Sequence, residues 1–163
     1  MYAPIVAAVI TGVCAIVGPI ITFLVTRADT GPGGDTLDKA RQKALNGKWQ
    51  GTFHQEVGPD GKPVSGDYSL QLTASSRVVS GEGSTHLQLG GKNLEAKFRI
   101  VGGLLYTRVF RFAYDNVDET AIHLGSMMLE LSDDGRSLRG RFIAYGMVSQ
   151  RLVYGTIEFK KQA

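Results

Sequence analysis

The sequence predicts an all-β fold: an antiparallel, closed barrel of about eight strands, preceded by one N-terminal transmembrane helix and a short connector helix. Three observations predict this. Residues 2–26 carry no charged side chain. From Lys48 onward, apolar residues recur at every second position, which is the period of a strand with one buried face. The chain of 163 residues also has 21 glycines, most of them between short apolar runs, as in proteins with many tight turns.

The N-terminal segment is long enough to cross a bilayer. The apolar run over residues 4–25 exceeds the roughly 20 residues that a hydrocarbon core of about 30 Å requires. A cleaved signal peptide is the alternative, but it would have a basic region before its apolar core, and here Arg27 follows the run. Because basic residues lie only after the span, the positive-inside rule predicts a single-pass protein with a cytoplasmic C-terminal domain.

Small residues occupy one face of this predicted membrane helix. Ala8, Gly12 and Ala15 are spaced by four and three residues, and such small residues let two helices approach closely. This face predicts a homo-oligomer formed through the membrane helix, although small residues are also common in membrane helices that do not pair. Gly18 and Pro19 could kink the helix or break it.

Residues 28–46 connect the predicted membrane helix (residues 1–27) to the predicted barrel (residues 47–163). Residues 28–35 form a flexible linker rich in glycine. Thr36 is the expected cap of a short helix that ends at Asn46 and Gly47, with an apolar side formed by Leu37, Ala40, Ala44 and Leu45. This helix is expected either to rest its basic face on anionic headgroups or to plug one end of the barrel.

The strands follow from the period-two pattern. We expect them in the segments WQGTFHQ, DYSLQLTA, LEAKFRI, LLYTRVFRFAY, AIHLGSMMLEL, SLRGRFIAYG and RLVYGTIEFK, with two less regular strands near residues 77–81 and 85–89. Strands with one consistently apolar face close into a small barrel, and a β-sandwich is the alternative. The apolar side chains expected to point inward are Trp49, Phe53, Leu70, Phe98, Phe110, Phe112, Phe142, Val153, Ile157 and Phe159.

Several polar residues share these inward faces and are the candidate ligand-binding residues. They are Arg108, Arg151, Tyr106, Tyr114, Tyr68 and Gln55. A guanidinium inside a barrel costs several kcal/mol unless it is paired, and few acidic residues are expected inside. Arg108 and Arg151 therefore predict an anionic ligand, whose bases could stack on the tyrosines. The alternative is that the strand carrying Arg108 faces the other way, or that the arginine reaches solvent at a rim.

No catalytic or metal-binding constellation is present in the sequence, so we expect neither an enzyme nor a cofactor. The three histidines are far apart, and there is no nucleophile elbow or phosphate loop. Asp115, Asp118 and Glu119 could hold a cation, but a solvated turn is the favoured explanation. A net charge of +3 is too small to indicate binding to a nucleic-acid polymer.

Four stretches resemble a known family. GKWQGTF (residues 47–53), FRFAYDN (110–116), a G-x-x-x-L-x-L-S-x-D-G-x-x-L-x-G stretch (125–140) and the closing YGTIEFKK (154–161) resemble the transmembrane β-barrel effectors of bacterial CBASS anti-phage defence. The related membrane β effectors of the Panoptes system are similar too. This resemblance implies a barrel that binds a cyclic oligonucleotide, and membrane segments that assemble and disrupt the bacterial inner membrane. Members of that family usually have two membrane helices, whereas this chain has one clear span.

Two other classes remain open. The Gly47-Lys48-Trp49 opening is similar to that of lipocalin-like ligand carriers, but such a carrier places an inward arginine beside this tryptophan, where the present chain has Phe159. The third class is a structural subunit of a membrane complex with no ligand. A lumen filled by its own aromatic side chains would favour that class.

Overall fold

The computed structural model describes residues 36–58, 61–117, 124–146 and 149–163, which form one helix and eight strands. Their bounds are α1 Lys39–Leu45, β1 Gly47–Gln55, β2 Val64–Ala74, β3 Val79–Leu89, β4 Lys92–Tyr106, β5 Val109–Asn116, β6 Leu124–Leu131, β7 Ser137–Tyr145 and β8 Leu152–Lys161. Each strand pairs antiparallel with the next, and β8 pairs with β1. The predicted closed barrel is confirmed, and the sandwich alternative is wrong.

Two predicted strand boundaries are wrong. The two short strands expected near residues 77–81 and 85–89 are one continuous strand, β3. The segment LLYTRVFRFAY is not one strand, because a tight turn at Thr107 and Arg108 separates β4 from β5. Thr107 has a φ of 44° there, and the pairing shifts register between Leu104 and Tyr106. Tyr106 and Arg108 lie at and beside this turn, at the rim of the barrel, whereas Leu104 before it and Phe110 after it are buried.

Helix α1 covers one end of the barrel. Its N-cap is Asp38, whose carboxylate accepts a hydrogen bond from the Arg41 amide at 2.7 Å, so the predicted cap at Thr36 is wrong. Leu37 and Leu45 are buried, and the Leu37 amide donates to the Ser76 carbonyl at 2.7 Å. The prediction that this helix plugs the barrel is therefore the correct one of the two offered.

The barrel has a closed end and an open end. At the closed end lie α1 and the β2–β3, β4–β5 and β6–β7 turns, and a Cβ on Gly135 of the last turn would lie 2.9 Å from Ala44 of the helix. At the open end lie the β1–β2, β3–β4, β5–β6 and β7–β8 connections. These two names are used below.

Aromatic side chains fill the lumen. All ten apolar residues predicted to point inward are buried, as predicted. Trp49, Phe98, Phe110, Phe112 and Phe159 have no exposed surface. The rings pack directly on the barrel wall: a Cβ added to Gly83 would lie 2.6 Å from the Phe98 ring. The large rings fit because the strand positions that face them are glycines, which have no side chain.

Residues 1–35 lie outside the described residues, and with them the predicted membrane helix and its small-residue face at Ala8, Gly12 and Ala15. Over the part of the chain that the structure does describe, none of the helical segments has the length and apolar character needed to span a bilayer.

Candidate functional site

The six predicted ligand-binding residues separate to the two ends of the barrel. Tyr106 and Arg108 lie at the closed end, in and beside the β4–β5 turn. Arg151 precedes β8 at the open end, where Gln55 ends β1. Tyr68 and Tyr114 are buried inside the barrel. Since the two arginines are at opposite ends, they cannot both contact one small ligand.

The prediction that Arg108 and Tyr106 point into the lumen is wrong. It assumed unbroken alternation from β4 to β5, and the turn at Thr107 with its register shift breaks that alternation. Tyr106 is 74% exposed. Arg108 bonds to Asp133 on the β6–β7 turn and to Glu130 at 2.9 Å. These carboxylates, Asp133 more than Glu130, raise the pKa of Arg108. The guanidinium is thus satisfied by the protein's own acids on the outer surface.

Arg151 and Gln55 belong to the connections at the open end. The Arg151 Nη2 donates to the carbonyl of Gly58 at 2.6 Å, which joins the β7–β8 connection to the β1–β2 connection. The Gln55 Nε2 donates to the Val57 carbonyl at 2.7 Å within its own loop. Both side chains therefore order the loops around the mouth of the barrel, and neither lies deep in the lumen.

Tyr68 and Tyr114 face inward, as predicted, and they form a buried polar group in the half of the lumen nearer the open end. Their hydroxyls lie close enough to influence each other's pKa, and the Thr85 side chain also acts on the pKa of Tyr68. Burial raises the pKa of Tyr68 to about 12 and the pKa of Tyr114 well above its ordinary value. Both hydroxyls are consequently neutral at physiological pH and can donate or accept hydrogen bonds.

An aromatic cluster surrounds these hydroxyls. The Tyr68 ring lies 5.1 Å from Phe53, 5.5 Å from Phe98 and 6.0 Å from Phe159, measured between ring centroids. The Phe53 ring in turn meets Phe142 edge-on at 6.0 Å. Phe53 and Phe142 keep a small exposed area, whereas Phe98 and Phe159 keep none, so the cluster reaches solvent towards the open end.

Two polar residues of this region were missed from the sequence. Thr85 lies on β3 in register with Tyr68, and it is buried. Ser149 lies in the β7–β8 connection; its hydroxyl oxygen is buried and, within the described residues, has no hydrogen-bond partner. Thr85 stands two positions before Leu87, so the alternation of the strand could have indicated that Thr85 points inward. No sequence pattern marks Ser149, because loop packing alone buries it.

The region offers aromatic surfaces, neutral hydroxyls and one nearby guanidinium. This combination suits a planar or anionic small molecule better than a cation. The described residues contain no group of three or more histidine, cysteine, aspartate or glutamate side chains that could hold a metal ion. Asp115, proposed above as one of three cation ligands, forms an ion pair with Arg99 at 3.8 Å, while Asp118 and Glu119 lie outside the described residues.

Comparisons with known proteins show only a similarity of fold. No family model matches the chain, and no curated protein matches it. Among solved structures, EF1p2_mFAP2b bound to DFHBI is similar, with a TM-score of 0.57 and 10% sequence identity over 77% of this chain and 100% of that chain. At this identity the similarity concerns the fold alone.

Proposed function

We propose that this protein is a membrane-anchored binding module, and not an enzyme, that takes a cyclic oligonucleotide at the open end of its barrel and acts as an effector of bacterial anti-phage defence. The observation that carries the ligand part is the buried hydroxyl of Ser149, which has no hydrogen-bond partner among the described residues and lies in the same connection as Arg151. A buried polar atom without a partner costs free energy that a ligand can recover.

The chemistry of the open end fits a phosphate joined to a base. The Arg151 guanidinium has five N–H donors, and its bond to Gly58 uses one of them. Phosphate oxygens accept charge-assisted hydrogen bonds from such a group. Phe53 and Phe142 are 7% and 6% exposed, so a base that stacks on them must displace part of their packing, and Tyr68 and Tyr114 provide neutral hydroxyls.

The membrane part of the proposal comes from residues 1–27 and from the family resemblance. An apolar segment of this length inserts in a bilayer, and its small-residue face at Ala8, Gly12 and Ala15 would allow close packing of helices from several copies. Binding of ligand at the barrel would control that assembly, which disrupts the inner membrane. The barrel would then lie in the cytoplasm, where such a ligand is made.

The ligand experiment compares the two arginines. The full-length protein in detergent is titrated calorimetrically with a panel of cyclic di- and trinucleotides. For the nucleotide that binds, Arg151→Ala should lose roughly 1.5–3 kcal/mol of affinity, the range for hydrogen bonds to a charged group. Arg108→Ala is the matched control at the closed end and should bind like the parent. Equal losses of affinity in both variants would contradict a binding site at the open end. If the parent protein binds none of the nucleotides, the proposed sensing function is contradicted.

The membrane experiment substitutes the small residues. Gly12→Leu or Ala15→Leu should reduce the toxicity of the expressed protein while leaving calorimetric ligand binding intact, because a bulky side chain prevents close helix packing. Reporter fusions after Ala163 test the orientation: a fusion active only in the cytoplasm is expected. Periplasmic activity would contradict both the orientation and the source of the ligand.

A ligand-free structural subunit is the second candidate, and one observation favours it. Five rings without exposed surface fill the lumen, which leaves little space inside the barrel for a ligand. The lipocalin-like alternative expects an inward arginine beside Trp49. Here Phe159 points inward, and Lys161 covers the Trp49 ring with its Nζ 5.8 Å from the ring centroid. The calorimetric panel separates the structural candidate from the sensor, since only the sensor binds.

A further inference from the structure

The outer surface of the barrel carries an unusual band of apolar side chains. Cross-strand neighbours form one row, and the row is Val101, Ala113, Ser126, Ile143 and Tyr154 on β4 to β8. A second row nearer the open end is Leu124, Tyr145 and Leu152. We call the outward apolar side chains of these two rows the apolar wall. Most of them line one continuous surface groove.

The apolar wall is exposed where solvent-facing strands are normally polar. Leu152 is 69% exposed, Ile143 is 52% exposed and Tyr154 is 50% exposed. The other side of the barrel, on β8, β1 and β2, presents polar outward side chains, which we call the polar wall: Gln50, Thr52, Asp67, Ser69, Glu158 and Lys160. A contiguous exposed apolar surface with a polar border indicates a site that binds a membrane or another protein.

Arginines border the apolar wall. The next outward row towards the closed end contains Arg111, Met128 and Arg141, which are cross-strand neighbours. Tyrosine beside aliphatic residues, with arginine at the edge, is the composition of protein surfaces at the headgroup level of a bilayer. Anionic headgroups attract the guanidinium groups while the apolar side chains enter the boundary with the acyl chains.

The connection to the predicted anchor permits this contact. The described chain begins at the closed end, where the Leu37 amide bonds to Ser76. Residues 27–35 separate that point from the apolar segment, and extended they reach about 30 Å. This is about the length of the nine-residue strand β1 at roughly 3.3 Å per residue. The tether therefore lets the barrel lie on its side against the membrane.

Two other occupants fit less well. A second copy joined through the same wall by a two-fold axis parallel to the strands would bring the Arg111 and Arg141 borders of both copies together, and like charges repel. The chain's own apolar segment, residues 4–25, has no acidic side chain to meet these arginines.

We propose that the apolar wall rests on the surface of an anionic phospholipid bilayer, with Ile143, Leu152 and Tyr154 at the headgroup–acyl boundary and Arg111 and Arg141 on the headgroups. This inference rests on the proposed membrane anchor and does not depend on the proposed ligand. It gives the barrel a defined orientation on the membrane, with the polar wall facing water.

The test places an environment-sensitive fluorophore at single cysteines in the full-length protein. Cys14 is the only native cysteine, so Cys14→Ser supplies a cysteine-free background. Ile143→Cys and Gln50→Cys in that background report on the apolar and polar walls. The labelled proteins are reconstituted in vesicles of phosphatidylcholine with about 30% phosphatidylglycerol, with shallow nitroxide-labelled lipids as quenchers. We expect quenching at position 143 to exceed that at position 50 by about threefold or more, since interfacial groups lie about 5–10 Å deep.

Paired charge changes sharpen the test. Leu152→Glu with Arg141→Glu should lower quenching at position 143 to the level of position 50. Thr52→Glu with Lys160→Glu on the polar wall is the matched control and should leave it unchanged. Circular dichroism of each variant confirms a folded barrel.

The parent protein labelled at Cys14, measured with nitroxides deep in the acyl chains, separates failure of this inference from failure of the anchor. Deep quenching at Cys14 with an unquenched, water-exposed fluorophore at position 143 overturns the inference alone. A second copy on the apolar wall would give a different signal at position 143: the fluorophore emission is blue-shifted but not quenched, and it shifts to that of a water-exposed group when the protein is diluted with lipid. This result also overturns the inference. Absence of quenching at Cys14 overturns the anchor, and with it both this inference and the membrane part of the proposed function.

Discussion

The two ends of the barrel are built from the same alternating strands, yet they differ in how their polar groups are satisfied. At the closed end the Trp49 Nε1 donates to the Leu45 carbonyl at 2.8 Å, and Arg108 is paired with two carboxylates. At the open end Ser149 has a buried hydroxyl oxygen without a partner among the described residues. The difference indicates that the closed end stabilises the fold and that the open end is the place to look for a ligand.

The comparison predicts its largest effect at Trp49. Trp49→Ala should lower the free energy of unfolding by about 3–5 kcal/mol, because it removes a large buried ring and leaves a cavity below α1. Urea unfolding followed by circular dichroism measures this. Tyr106→Ala, which removes an exposed aromatic side chain at the same end, is the control and should change stability by less than about 0.5 kcal/mol. Similar losses in the two variants would contradict a closed end built on Trp49.

High pH should destabilise the barrel through the open half of the lumen. Tyr68 has an ordinary pKa of 10.0, which burial raises to about 12, so between these values the folded state keeps a proton that the unfolded state has lost. Between pH 10 and about pH 12, Tyr68 should lower the free energy of unfolding by about 1.4 kcal/mol per pH unit. Below pH 10, Tyr68 should not affect the free energy of unfolding.

Chemical unfolding at a series of alkaline pH values measures this dependence. Tyr68→Phe should reduce the slope, whereas Tyr106→Phe, at an exposed position, should leave it unchanged. A slope that is the same in all three proteins would show that the buried tyrosine is not responsible.

Gly125 tests how tightly the buried hydroxyls are held. A Cβ at Gly125 would lie 2.6 Å from the Tyr114 hydroxyl and 2.6 Å from the Ile143 carbonyl, so Gly125→Ala should cost about 1–3 kcal/mol of stability by overpacking. Gly103→Ala, whose new Cβ meets its nearest atom, the Arg77 carbonyl, at 3.1 Å, should cost less. Thermal melts of the two variants provide the comparison, and a Gly125→Ala protein as stable as the parent would mean that the lumen is loosely packed there.

The smallest effect is expected at Arg108. Its ion pairs with Glu130 and Asp133 are exposed to solvent, and such pairs contribute little because water and salt screen them. Arg108→Ala should therefore leave the melting temperature unchanged. A marked loss of stability would mean that the β4–β5 and β6–β7 turns depend on this contact, and that the closed end is held from outside as well as from within.

The barrel and most of its core follow directly from the sequence pattern. Alternation with period two identified the inward apolar residues, because burial of one face selects apolar side chains at every second position whatever the partner strand is. The same reasoning failed between β4 and β5. Thr107 adopts a positive φ, which is uncommon for a residue other than glycine, and nothing local in the segment LLYTRVFRFAY indicates a turn. Tyr106 and Arg108, at and beside this turn, were consequently predicted to point into the lumen although they lie at its rim.

The sequence by itself determined the fold class, the aromatic lumen and the inward position of Tyr68 and Tyr114, because these depend on local periodicity. Only the tertiary structure decided that Arg108 pairs with Glu130 and Asp133, that Thr85 lies in register with Tyr68, and that the Ser149 hydroxyl is buried with no partner among the described residues. It also brought the residues of the apolar wall together from five strands. Each of these depends on strand register and loop packing, which join residues far apart in the chain and leave no period in the sequence.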